Sequence, residues 1–184
     1  MQNPFLIGSK VYLRPLERAD APTLEAWIND PEVTRTLAFY RPMNLQNEEE
    51  FISRVYQSEH DLVLGIAVKQ SDELIGATGL HEMDFKNRHA NFGINIGKKN
   101  EWGNGYGTEA TTLMVQHAFE SLNLNRVRLL VYENNPRARR AYEKVGFKRE
   151  GILRQDRYHE GRYWDTFTMA ILREEWDALK QRPA

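Results

Sequence analysis

Trp102-Gly103-Asn104-Gly105-Tyr106-Gly107 is the segment that most limits what this chain can fold into. It follows a strand-like run, Ala90 to Ile96. It also opens the clearest helical pattern, Thr108 to Ser121, with Ala110, Leu113, Met114, Ala118 and Phe119 among its apolar residues. Glycines at alternate positions let the backbone approach a ligand closely and point several N–H groups one way. The positive end of the helix macrodipole adds to this, so the loop suits a phosphate or pyrophosphate. A tight strand-to-helix turn with no ligand has the same spacing. A dinucleotide fingerprint is disfavoured because its third glycine would fall at Thr108 or later, and no Gly-Lys-Ser/Thr follows to make a P-loop.

Strands and helices alternate around this loop. Lys10 to Pro15 reads as a first strand, and Asp20 as the N-cap of a helix over Thr23 to Ile28 that ends before Pro31. A second helical pattern begins at Asn47. Leu62 to Val68 and Leu74 to Leu80 read as neighbouring strands, with a loop over Met83 to His89 before the next. Arg126 to Tyr132 is a strand, Ala138 to Val145 a short helix, and Gly146-Phe147 opens another strand. Tyr158 to Trp164 is a hairpin turn around Glu160-Gly161, and Thr166 to Leu172 is the last strand. The pattern is that of an α/β or α+β mixed sheet. With no repeat, low-complexity tract or linker, residues 1–184 form one expected domain.

Composition narrows the function. Lys plus Arg number 25 against 26 Asp plus Glu, which argues against a general nucleic-acid binder. There are no cysteines, so disulfides, thiolate metal sites and cysteine nucleophiles are excluded. The N-terminal stretch carries no secretory pattern and no apolar run is long enough to span a bilayer, so the expected location is cytoplasmic, without membrane contact. His81, Asp84 and His89 fit no standard zinc spacing, and no metal is expected.

The second informative segment is Val131 to Phe147, VYENNPRARRAYEKVGF. Asn135 before Pro136 suits a helix start, and Tyr142 alone could be a packed aromatic. Gly105 and Gly107, taken with Val131, Asn135, Ala138, Tyr142, Gly146 and Phe147, resemble the two motifs of the GCN5-related N-acetyltransferase superfamily. The Trp-Gly-x-Gly-Tyr loop, Gly146 to Gly151 and Arg173 to Trp176 are similar to its ribosomal-protein N-terminal acetyltransferase branch. The resemblance covers Val11 to Trp176.

That resemblance implies a mostly antiparallel sheet of six or seven strands with about four helices, split between two strands to admit acetyl-CoA. It implies that Asn95, Ile96 and Gly97 pair with the pantetheine arm. The loop from Gly103 through Asn104, Gly105, Tyr106 and Gly107 to Thr108 would hold the pyrophosphate, and Asn135 would reach the pantetheine or substrate amide. Arg137, Arg139 and Arg140 would add a contact to the 3′-phosphate or form a solvated face. The implied chemistry is direct attack of a neutral amine on the thioester, with Tyr142 as general acid and a backbone N–H near Ile96 as oxyanion donor. The general base departs from the family: its two usual positions hold Asn91 and Leu130, and Glu82, with His81 and Asp84 behind it, is the expected substitute.

A missing strong base favours weakly basic acceptors. An α-amine titrates near ~7.7–8 and a lysine amine near ~10.4, so far more of the first is neutral at pH 7. Peptide N-termini and small amines are therefore the expected substrates. The C-terminal half is also similar to spermidine/spermine acetyltransferases, for which Glu48-Glu49-Glu50, Glu59 and Asp61 would supply carboxylates. A catalytically silent acyl-CoA-binding module is the reading from outside the enzyme class. Dimerisation is common among proteins of this resemblance, and Tyr158, Tyr163 and Trp164 are available for a homodimer.

Overall fold

The computed structural model describes residues 1–181 and contains one eight-stranded sheet. The elements in chain order are β1 (Leu6–Ile7), β2 (Val11–Pro15), α1 (Ala21–Ile28), α2 (Pro31–Thr34), α3 (Leu45–Gln57), β3 (Leu62–Val68), β4 (Leu74–Asp84) and β5 (His89–Ile96). They continue with α4 (Tyr106–Glu120), β6 (Arg126–Tyr132), α5 (Pro136–Val145), β7 (Lys148–His159), β8 (Arg162–Leu172) and α6 (Arg173–Lys180). The strands lie in the order β1-β2-β3-β4-β5-β6-β8-β7. Every pairing is antiparallel except β5 with β6.

Strand alternation assigns the two faces. In β6, Val127, Leu129 and Val131 are buried with Ala110, Met114, Val115 and Phe119 of α4, Tyr142 of α5 and Trp176 of α6. In β3, Leu64 and Ile66 join that core, whereas Val63 turns the other way to meet Ala21, Leu24, Ile52 and Val55 of α1 and α3. α4, α5 and α6 thus cover one face, and α1 and α3 cover the β3–β4 half of the other. No helix covers the second face of β6, β7 and β8 among the described residues. Leu130 and Leu153 are exposed there. The segment after α2 reaches this face, where Arg157 donates to the carbonyls of Arg35 and Leu37 at 2.8 Å each.

The fold agrees with the expected sheet and exceeds it in element count. β1 is two residues long, too short to show alternation, and α2 is a single turn. α3 starts at Leu45, two residues before the expected Asn47, because Asn44 is the cap, its side chain accepting from Asn47 N at 2.9 Å. β4 runs on to Asp84 through a bulge between His81 and Asp84, where Glu82 takes φ +50° and Met83 stays in the core. Residues 182–184 of the expected domain lie outside the described residues.

Asp20 does not cap α1 with its side chain. It forms a bidentate pair with Arg14, both bonds 2.8 Å, and accepts from Glu17 N at 2.8 Å. Both side chains are largely removed from solvent. Burial pushes the Asp20 carboxyl up, but the hydrogen bonds from Arg14 and Glu17 outweigh it and hold its pKa below the ordinary 3.8. Asp20→Ala leaves the Arg14 charge uncompensated and is expected to cost about 3–5 kcal/mol. Because the folded pKa is depressed, this contribution is present above about pH 4 and is lost as pH falls through the depressed value. Thermal melts at pH 7 and pH 3 check both: the gap between variant and wild type narrows at the lower pH.

Candidate active site

The site is made where the sheet stops pairing. β5 and β6 are in register only from His89 opposite Arg126 to Asn91 opposite Arg128. Beyond that point Phe92–Ile96 and Leu129–Tyr132 diverge, leaving two strand edges without a neighbouring strand between them. A cleft of about 1050 Å³ occupies the gap. Its lining includes Phe92, Ile94 and Ile96, which turn to the α4 face, and Asn91, Gly93 and Asn95, which turn to the other. β6 likewise contributes Leu129 and Val131 to one side, and Arg126, Arg128 and Leu130 to the other. The cleft therefore passes through the sheet and has two mouths, one between α4 and α5 and one bordered by Thr36, Leu37 and Ala38.

The first mouth carries the glycine-rich loop. Gly103 and Gly105 have φ of +88° and +84°, and a side chain at Gly103 would meet nothing within 4 Å. Backbone conformation, rather than crowding, explains these glycines. Gly105 is the N-cap of α4, so its turn delivers Gly105, Gly107 and Thr108 to the cleft beside the positive end of a 15-residue helix. The turn is tied down from outside: Glu109 accepts from the Ser9 and Lys10 N–H groups, and Lys10 Nζ donates to the Asn104 carbonyl at 3.3 Å. On the opposite wall the Arg137 guanidinium lies 4.3 Å from the centre of the Trp102 ring. Burial lowers the Arg137 pKa from its ordinary value, and Arg140 and Lys144 line the same wall. Arg139 turns away to Glu143 and Phe167.

Tyr142 projects from α5 into the cleft between Phe92 and Phe147, with ring centroids 6.2 and 5.9 Å away. Burial pushes its pKa up to about 12, so the phenol keeps its proton at neutral pH. Asn135 lines the cleft and also caps α5, accepting from Ala138 N at 3.1 Å. Asn95, Ile96, Gly103, Gly105, Tyr106, Gly107 and Thr108 all reach the lining. The Ile96 carbonyl already accepts from Trp102 Nε1 at 2.7 Å, a bond that folds the loop back on the strand.

Three expected residues lie off the lining. Asn104 turns its amide to Glu101 at 2.9 Å. Gly97 faces α1: a Cβ there would sit 2.0 Å from the Trp27 ring, so this glycine exists for packing. Glu82, on the bulge, accepts from Asn91 Nδ2, and Arg128 Nε donates to Asn91 Oδ1 at 2.6 Å. Asn91 thus stands between an acid and a base and faces the cleft itself. Arg126, Arg128 and Thr36 to Ala38 also line the cleft, and their sequence context does not mark them as site residues. The two arginines lie within the Arg126–Tyr132 strand pattern, and their alternation was the available signal; residues 36–38 carry no periodicity at all.

A family model described as an acetyltransferase (GNAT) domain matches residues 10–148. Among curated proteins, the uncharacterized N-acetyltransferase YoaA of Bacillus subtilis is 32% identical, with 92% of this chain and 97% of that protein covered. YdaF of Bacillus subtilis, named as a candidate ribosomal N-acetyltransferase, is 30% identical over 95% and 97%. The solved spermidine N-acetyltransferase of Vibrio cholerae, in complex with CoA and spermine, superposes with a TM-score of 0.85 at 27% identity, covering 92% of this chain and 99% of that one. The chain belongs to the GNAT acetyltransferase family. It is an N-acetyltransferase, an enzyme that moves an acetyl group to an amine.

The packing of Trp27 on Gly97 fixes α1 against the end of β5, one residue beyond the lining residue Ile96. Gly97→Ala forces a methyl group into the indole and is expected to cost about 1–3 kcal/mol. In a Trp27→Ala background the same change is expected to cost little. Melting temperatures of the two singles and the double check this coupling.

Proposed function

We propose that this enzyme binds acetyl-CoA through the α4–α5 mouth and acetylates a peptide N-terminal α-amine or a small amine arriving from the opposite face of the sheet. The observation that carries this reading is a cleft with one open strand edge, a helix N-terminus and an arginine-rich wall on the same side. Asn95 and Ile96 offer backbone groups to an extended pantetheine as a strand edge does to an added strand. Gly103, Gly105, Tyr106, Gly107 and Thr108 place N–H groups and the α4 dipole at the pyrophosphate, with Arg137, Arg140 and Lys144 opposite. Asn135 has its amide nitrogen to offer while its oxygen caps α5.

In the transfer, an amine N–C bond forms as the C–S bond breaks. The Ile96 N–H faces the developing oxyanion, and Tyr142, protonated because its site is dry, donates to the departing sulfur.

Charge on the lining supports a monocationic acceptor over a polyamine. Its carboxylates, Glu101 and Glu150, are both committed, to Asn104 and to a bidentate pair with Arg126. Arg126, Arg128, Arg137, Arg140 and Lys144 oppose them. None of Glu48, Glu49, Glu50, Glu59 and Asp61 lines the cleft; Glu48 is buried, its carboxyl pushed up by burial and then by Glu25, and Glu49 is held by Arg18. Polyamine acetylation is the second reading, favoured by the likeness to the Vibrio cholerae enzyme. A homodimer is part of the proposal, with the exposed Tyr158 and Tyr163, 5.1 Å apart, as its contact. Trp164 is less available, because its indole donates to the His159 carbonyl at 3.2 Å. A cytoplasmic location is proposed with it; no described helix is long and apolar enough to cross a membrane.

Thiol release from acetyl-CoA, measured against free-N-terminus peptides, free amino acids, aminoglycosides and spermidine, tests the reading. Peptides or monoamines are expected to exceed spermidine in kcat/KM. Tyr142→Phe, which keeps the ring packing, is expected to lower kcat about 100-fold or more with little change in acetyl-CoA affinity. Binding of acetyl-CoA without turnover of any amine would favour a silent module.

A further inference from the structure

The attacking amine must lose a proton, and no uncommitted carboxylate among the described residues lines the cleft to take it. We propose that His81 is the general base, with Asp61 as the residue that positions it. The inference rests on the two-mouth reading above and adds the missing partner to Tyr142.

His81 lies on β4 directly opposite Asn91 of β5. Their neighbours Leu80 and Phe92 point into the α4-side core, so His81 and Asn91 project together on the acceptor face. The imidazole Nδ1 is 3.2 Å from Asp61 Oδ1. Asp61 is itself fixed, its Oδ2 accepting from Ser58 Oγ at 2.7 Å and its Oδ1 from Glu82 N at 3.4 Å. Burial pushes the Asp61 carboxyl up, but these bonds, with that from His81, hold it below its ordinary value, so it is a carboxylate at neutral pH. A carboxylate can only accept, so Nδ1 carries a proton, and the lone pair of the neutral ring is then at Nε2. An acid orienting an imidazole through Nδ1 is how histidine bases are held in the working tautomer.

The glycines show where Nε2 points. A Cβ on Gly79 would lie 2.8 Å from Nε2, and one on Gly93 would lie 3.7 Å from it. The ring therefore occupies the space over two residues without side chains; His81 is not itself on the lining and borders the cleft across Gly93, which is. On the other face of the same strand, the adjacent Phe92 ring meets Tyr142 at 6.2 Å. His81 and Tyr142 thus flank β5 at residues 92–93 from opposite faces, the donor of one proton on the leaving side and the acceptor of the other on the attacking side. The bulge at Glu82 explains why Glu82 does not do this: it sends that carboxylate to Asn91 and its N–H to Asp61. The charged groups around His81 are Asp61, Glu82 and, through Asn91, Arg128.

The step balances. As the amine nitrogen bonds to the carbonyl carbon, its proton passes to His81 Nε2, directly or through one water, and the imidazolium is stabilised by Asp61. The C–S bond breaks and sulfur takes the Tyr142 proton; exchange with solvent resets both residues.

The test is steady-state kinetics on wild type, His81→Gln, Asp61→Asn and Glu82→Gln, with a serine-initiated peptide and spermidine as acceptors. Melting curves with acetyl-CoA identify any variant that has not folded. His81→Gln is expected to lower kcat/KM about 100-fold or more at pH 7, with the loss narrowing toward pH 9 as the amine deprotonates unaided. Asp61→Asn is expected to lose less and to move the acidic limb of the pH profile downward. Nitrogen-15 NMR of the wild-type imidazole in the CoA complex is expected to show the Nδ1–H tautomer. An Nε2–H tautomer, an unchanged rate and pH profile in His81→Gln, or a larger loss in Glu82→Gln overturns the proposal. Failure of the wild type to acetylate either amine instead contradicts the acceptor reading, and the tautomer then decides for or against His81.

Discussion

The parallel pairing of β5 with β6 holds from His89–Asn91 against Arg126–Arg128 and then fails, and the rest of the site depends on where it fails. A sheet that continued would bury its backbone groups in a ladder and leave no passage between its faces. Here β6 is held instead by β8 along its full length, from Arg126 opposite Leu172 to Tyr132 opposite Thr166, so it can leave β5 without losing its place. β5 is similarly secured by β4 from Asp84 opposite His89 to Gly76 opposite Ile96. Each strand keeps one partner and opens the other edge. The helices that follow, α4 after β5 and α5 after β6, both start at the open end, which concentrates two N-termini and the glycine-rich turn at one mouth.

Once the cleft runs through the sheet, its chemistry divides by face. The α4–α5 side is dry around Tyr142 and cationic along Arg137, Arg140 and Lys144, an environment for a phosphate-bearing donor and for a phenol that keeps its proton. The opposite side is polar, with Asn91, Arg128 and Arg126, and it is where the proposed base sits. Proton donor and proton acceptor need not compete for one pocket, because the strand itself separates them. Asn91 fits this division: an amide there bridges Arg128 and Glu82 without taking a charge into the passage.

Much of this was legible in the chain. Leu62–Val68 and Arg126–Tyr132 are strands with the bounds read from the sequence, and the Trp102–Gly107 turn opens the longest helix as its glycines require. The split between strands came from resemblance, since nothing in the residues of β5 or β6 states where pairing ends. Other features depend on tertiary partners that local pattern does not show. Asp20 reads as a cap but is claimed by Arg14, six residues away; Gly97 reads as a backbone contact to the ligand, and the packing of Trp27 against it is not legible in the sequence. Glu82 reads as a base from its carboxylate alone, and the bulge that directs it to Asn91 is a backbone event with no residue signature. His81 stood beside it in sequence, but its partner Asp61 is 20 positions earlier and joins it only through the β3–β4 pairing.

Hydrogen exchange measured by mass spectrometry with and without acetyl-CoA bears most directly on the central claim, that the open edge of β5 and the α4 turn receive the donor. The amides of residues 92–97 and 103–108 are expected to slow together on binding, while β3, already paired on both sides, stays unchanged. Protection confined to other segments, with the open β5 edge exchanging as fast as before, would contradict the account.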